Sequence, residues 1–138
     1  MFVPNPDHNH TADDKRIFVF GSNVLGIHGG GAAWYAHNKL GAEWGVGEGL
    51  TGLTYALPTC LAPGVPVSFE LLEFYVNRFL IVAEANPEIQ FFVSAVGCGI
   101  AGFDECAVAS LFKFAPANCD LPPIWYQIQD EMFLNETA

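Results

Sequence analysis

Ile17-Phe18-Val19-Phe20-Gly21-Ser22-Asn23-Val24-Leu25-Gly26-Ile27-His28-Gly29-Gly30-Gly31-Ala32-Ala33 is the stretch that decides the fold. Its first four residues form an unbroken apolar run, which suits a strand buried on both faces of a parallel sheet. A glycine-rich segment follows at 26–31, and then Ala32, Ala33, Ala36 and Leu40 recur at helical spacing. The order is strand, glycine loop, helix. Gly29, Gly30 and Gly31 remove every Cβ that would hold a ligand away from the backbone. Set ahead of a helix, they aim N–H groups at one spot where the helix dipole adds positive potential, and a pyrophosphate suits such a site. The spacing is neither GxGxxG nor a Walker loop, since no Gly-Lys-Ser/Thr follows. The alternative is a tight strand-to-helix turn with close packing.

Working outward, the same grammar returns once. Phe91-Phe92-Val93-Ser94-Ala95-Val96 reads as a buried strand that runs into Gly97-Cys98-Gly99-Ile100-Ala101-Gly102-Phe103, with Asp104 placed to cap a following helix. Between the two loops, Gly41 to Gly52 contains five glycines and reads as loop. Thr54-Tyr55-Ala56-Leu57 reads as a strand stopped by Pro58. Ser68 caps a long helix with an apolar stripe at Leu72, Val76, Phe79, Leu80 and Ala83, ended by Asn86-Pro87. Val108, Leu111 and Phe112 mark one side of a helix closed by Pro116, and Ile124-Trp125-Tyr126-Gln127-Ile128 reads as a last strand. Residues 1–14 are polar and read as a flexible arm, with a solvated tail preferred over metal ligation for His8 and His10. Residues 15–138 form one domain. Strands alternating with helices predict an α/β fold with a mostly parallel central sheet, whose ligands bind outside the carboxyl ends of the strands. Both glycine loops follow strands and are therefore expected on one rim.

Composition narrows the function. A net charge of −10 with only Lys15, Arg16, Lys39, Arg78 and Lys113 basic excludes a protein that grips extended nucleic acid through its phosphates. A small anion held by backbone N–H groups stays compatible with that charge. The longest apolar runs fall short of a membrane helix, and no signal peptide is visible at the start, so a cytoplasmic protein is expected. Cys60, Cys98, Cys106 and Cys119 show no CxxC pair or zinc-finger spacing and read as free thiols. No metal site or cofactor is expected.

The individual residues keep two readings each. The Asn23 amide can fix a ribose hydroxyl or orient a water, or hold its own turn. His28 can contact phosphate or act as a base, though a loop histidine often does neither. Phe103 can cover a ring or sugar, or pack in the core. Cys98 is a nucleophile or, with no basic partner in sequence, a small loop residue. Asp104 is a helix cap first and a catalytic or sugar contact second. Glu43 and Glu48 lie where they could enter a cleft, with solvent exposure as the default.

These loops resemble the macrodomain family, and most closely its branch of ADP-ribose–protein glycohydrolases and antitoxins that reverse DNA ADP-ribosylation. The first is similar to that branch's Asn-x-x-Gly-x-x-Gly-x-Gly-x-Ala in Asn23, Gly26, Gly29, Gly31 and Ala33. The second resembles Ile-Gly-Cys-Gly-Leu in Val96-Gly97-Cys98-Gly99-Ile100, and Tyr55-Ala56-Leu57-Pro58-Thr59 resembles a strand leading to Pro-Thr-Lys. The resemblance spans roughly residues 16–128. It implies a three-layer α/β/α fold and an ADP-ribose cleft, with the diphosphate on loops 26–32 and 97–102 and with Ser22, Ala32, Thr59, Ala101 and Gly102 among the contacts. It also exposes departures. The branch's catalytic lysine falls at Cys60 and the acidic residue of its glycohydrolase at Ala101, leaving Asn23 and Asp104 as the catalytic candidates. The family's first strands would precede Asn23, so the sheet is expected to be trimmed at one edge. Three functions fit: a binder of ADP-ribose or a related NAD-derived nucleotide, an ADP-ribosyl hydrolase, and an interaction protein with a vestigial pocket.

Overall fold

The computed structural model of the chain describes residues 8–137. Six strands and four helices follow in the order β1 (Ile17–Asn23), α1 (Gly31–Leu40), β2 (Gly49–Thr51), β3 (Thr54–Ala62), β4 (Val65–Pro66), α2 (Phe69–Ala85), β5 (Phe91–Val93), α3 (Glu105–Leu111), β6 (Cys119–Asp120) and α4 (Pro123–Thr137) among the described residues. The chain is α/β, with one mostly parallel sheet in the order β2-β3-β1-β5-β6 and β4 paired to β3. β1 runs parallel to both its neighbours, β3 and β5, and β5 runs parallel to β6. The short β2 and β4 are antiparallel to β3.

Residues of β1 alternate between two apolar clusters, because successive side chains of a strand point to opposite faces. Val19 joins Leu57 and Val93, the α2 stripe Leu72, Val76, Phe79 and Ala83, and Val108, Ala109 and Phe112 around α3. Phe18 and Phe20 join Ala56, Phe92 and the α1 residues Ala36 and Leu40. α1 thus covers one face, and α2 and α3 cover the other. The Ser68 hydroxyl accepts from the Leu71 amide at 3.1 Å, as a cap should. Asn118 Nδ2 reaches the carbonyls of Ala83, Asn86 and Ile89 at 2.9–3.0 Å, which ties the end of α2 to the approach to β6.

Five expectations need correction. The strand read over Phe91–Val96 ends at Val93, and Ser94, Ala95 and Val96 belong to the loop that follows it. Ile124–Ile128 is helix, not strand: Pro123 opens α4, and Trp125, fully buried, packs on Phe112 with ring centroids 5.0 Å apart. Proline is favoured at the first helical position, where its missing N–H costs nothing. Pro58 does not stop β3, which continues to Ala62; a register shift between Ser22 and Asn23 accommodates it. The glycine-rich stretch 41–52 is not all loop, since Gly49–Thr51 forms β2. Finally, His8 and His10 are half-buried rather than freely solvated. His8 stacks on Phe92 at 4.1 Å and its Nε2 lies 3.1 Å from the Val93 carbonyl, while His10 Nδ1 lies 2.9 Å from the Tyr35 hydroxyl. The remainder of the expected arm, residues 1–7, lies outside the described residues.

Candidate functional site

The sheet itself sets the site. After β1 the chain enters α1 on one face, and after the adjacent β5 it enters α3 on the other. Neighbouring parallel strands whose connections leave to opposite faces open a crevice at their carboxyl ends. A cleft of about 460 Å³ lies there, lined by residues of 21–33, of 59–64 and of 94–101. Such a volume falls within the usual range for small-ligand sites, about 300–1,000 Å³. The two glycine loops therefore meet on one rim.

Ser22, Asn23, Gly29, Gly30, Gly31, Ala32, Thr59, Gly97, Gly99, Ile100 and Ala101 all line the cleft. Gly26, His28, Cys98, Gly102, Phe103 and Asp104 are not among the lining residues. Gly26, at φ +70°, packs so closely that a Cβ would lie 2.3 Å from the Gly45 carbonyl carbon. His28, 1% exposed, sits among Phe20, His37 and Trp44 with Nε2 3.0 Å from the Glu43 carbonyl. Phe103 packs against the core and Phe69, and Gly102 donates to the Gly99 carbonyl at 3.0 Å, closing the turn. Asp104 caps α3, its Oδ2 accepting from the Ala107 amide at 3.0 Å. Burial, with Glu105 and Asp104 nearby, pushes the Cys98 thiol up to about 11, so it is no thiolate at neutral pH. All four cysteines are free. Glu48 pairs with Arg78 at 2.7 Å, and Glu43 is exposed.

Sequence reasoning missed Gly21, Ile27, Ala33, Cys60, Pro63, Gly64, Ser94 and Ala95 as lining residues. Ser94 and Ala95 were hidden because they read as the end of a strand, whereas β5 stops at Val93 and leaves them on the ligand rim. Pro63 and Gly64 became visible only once β3 ran past Pro58 into a turn.

The backbone supplies the polarity. Gly30 caps α1 in an extended conformation with no side-chain hydrogen bond to the helix. The amides of Gly31, Ala32 and Ala33 precede the first intrahelical bond, from Trp34 N–H to the Gly30 carbonyl at 3.2 Å. The α1 dipole adds positive potential at that point. The lining side chains are otherwise committed to the protein. Asn23 Nδ2 donates to the Ile27 carbonyl at 2.8 Å and its Oδ1 accepts from the Ile27 amide at 3.1 Å. Ser22 donates to the Gly47 carbonyl, Thr59 to the Ser22 carbonyl and Ser94 to the Val19 carbonyl.

The glycines sort by what holds them. Most either adopt a left-handed φ or would drive a Cβ into backbone, as at Gly47, 2.4 Å from the Asn23 carbonyl oxygen. Three do neither: Gly29, Gly30 and Gly99 have no left-handed φ, and a Cβ on each would meet nothing within 4 Å. All three line the cleft. Close packing, the alternative explanation for the triple glycine, accounts for none of them.

No family model, curated protein or solved structure matches this chain. Among the described residues no helix is long and apolar enough to cross a membrane, and no group of three or more His, Cys, Asp or Glu could hold a metal ion.

Proposed function

We propose that this chain binds ADP-ribose or a related NAD-derived nucleotide, with its diphosphate on the first-turn amides of α1 and the turn at 97–101. The observation that carries the reading is the set of three glycines, Gly29, Gly30 and Gly99, that neither backbone conformation nor packing requires. Each keeps a ligand-facing wall free of side chain. Diphosphate fits, because a helix N-terminus and turn amides hold an anion without a basic residue. A three-layer macrodomain-like arrangement goes with this reading and is supported by α1 and α2–α3 lying on opposite faces of the sheet. So does a cytoplasmic location, where NAD-derived nucleotides and free thiols coexist.

Hydrolysis has no comparable support. Asn23, the candidate for placing water, has both ends of its amide engaged by Ile27, and Asp104 is engaged at the start of α3. Calorimetric titration with ADP-ribose tests the binding reading. Saturable heat lost in Gly99→Val is expected, and no binding at millimolar ligand removes the reading.

A further inference from the structure

We propose that the cleft accepts nucleoside diphosphates and their conjugates without reading the base. This deepens the nucleotide-binding reading and rests on it. Side-chain readout of one base against another needs a donor and an acceptor held side by side against the base edge, as the carboxamide, guanidinium and carboxylate provide. Among the described residues lining the cleft there is no Asp, Glu, Lys, Arg or His. The single carboxamide, on Asn23, is folded back onto Ile27. The hydroxyl protons of Ser22, Thr59 and Ser94 go to backbone carbonyls.

Apolar side chains complete the lining. Pro63 stands in the turn after β3, where that strand outruns β1: Asn23 pairs with Cys60, and Leu61 and Ala62 continue beyond. Across the cleft stands Ile100, 77% exposed. An exposed apolar residue lining a cleft gains by being covered, at roughly 25 cal/mol for each Å² removed from water. A base or ribose face covers it, and every base offers such a face, so contact of this kind is base-tolerant. The main-chain amides fix the diphosphate, and the apolar side chains hold whatever flat group follows.

The experiment titrates the full chain with ADP, GDP, CDP and UDP, which differ only in base, with adenosine as the probe lacking phosphate and ADP-ribose as the reference. The four diphosphates are expected to bind within about fivefold of one another, since a single bidentate base contact is worth at least that factor. Adenosine is expected to bind far more weakly. The variant Ile100→Ser is expected to weaken all four by a common factor. A preference above fivefold for one base, a loss in Ile100→Ser confined to one base, or adenosine binding as tightly as ADP overturns the inference. If one base is preferred while ADP-ribose binds, the nucleotide-binding reading stands and only base tolerance falls. If neither ADP-ribose nor any diphosphate binds, both fall.

Discussion

At the scale of single residues, two kinds of glycine make opposite predictions. Gly29→Ala and Gly99→Ala add a methyl group to open space at positions without a left-handed φ. Their folding stability should stay within about 1 kcal/mol of the parent, because alanine at a compatible site mainly reduces unfolded-state entropy. Nucleotide affinity should fall by about tenfold or more, since the methyl occupies the ligand's approach. Gly47→Ala should behave differently: its Cβ would meet backbone atoms of Asn23 and Val24 within 2.8 Å, and a loss of about 3 kcal/mol or more is expected. Urea unfolding and calorimetry on the three variants separate the two classes. Asp14 supplies a pH prediction of its own. The hydrogen bond from the Arg16 side chain, joined by one from the Arg16 amide, holds its carboxyl down at about 2 against burial that pushes the other way. A carboxyl depressed in the folded state stabilises above its unfolded pKa, near 3.8, and loses that contribution as pH falls toward 2. Asp14→Asn should therefore cost about 1–2 kcal/mol at pH 7, after discounting for solvent at this partly buried pair. The gap in urea midpoints should close between pH 4 and pH 2, and a gap that stays constant over that range refutes the assignment.

At the scale of elements, the Asn23 side chain links the end of β1 to the turn at Ile27, ahead of the glycines that line the cleft. Asn23→Ala removes both hydrogen bonds at a site where the backbone groups are partly buried, a loss of about 1–3 kcal/mol. Amide exchange should accelerate across 24–30 while α2, held by its own stripe and cap, keeps its protection. Exchange that rises equally in both elements removes the local role. The same contrast explains what was legible in the sequence. β1, α1 and α2 were readable because each carries its own apolar period and its own start or stop: Gly26 after the strand, which runs through Gly21 to Asn23, Ser68 before the helix, Asn86-Pro87 behind it. The glycine loops and their meeting at one rim followed from strand order alone. α4 was not legible, because Trp125, Tyr126 and Ile128 favour strands by propensity and their partner α3 is distant in sequence; Pro123 was the one local signal. The reach of β3 past Pro58 depends on a shift in pairing with β1, which no property of β3 announces. His28 and Phe103 looked like ligand contacts because they sit in ligand loops, yet Phe20 and Trp44 around one, and Gly97 and Phe69 beside the other, turn them inward.

For the molecule as a whole, charge and site stand in an unusual relation. The chain carries −10 overall, and the described lining of the cleft includes no cationic side chain. A diphosphate approaching it is repelled at long range and attracted only over the last few ångströms by oriented amides, whose field falls off within a turn of helix. Added salt screens the long-range repulsion between exposed charges far more than it weakens short contacts inside a partly enclosed cleft. Sites built from lysine and arginine behave in the opposite sense, because salt competes with the ion contacts and affinity falls as it is added. Raising ionic strength from about 10 mM, where the screening length is near 30 Å, to about 150 mM, where it is near 8 Å, should therefore strengthen nucleotide binding by roughly three- to tenfold. Calorimetric titrations of ADP-ribose in sodium chloride across that range give the slope directly. A rising affinity agrees with a diphosphate held by main-chain amides on an acidic protein, and a level one removes the long-range repulsion. A steady fall would mean that basic side chains close on the ligand when it binds, and the amide cradle would lose its place as the principal source of affinity.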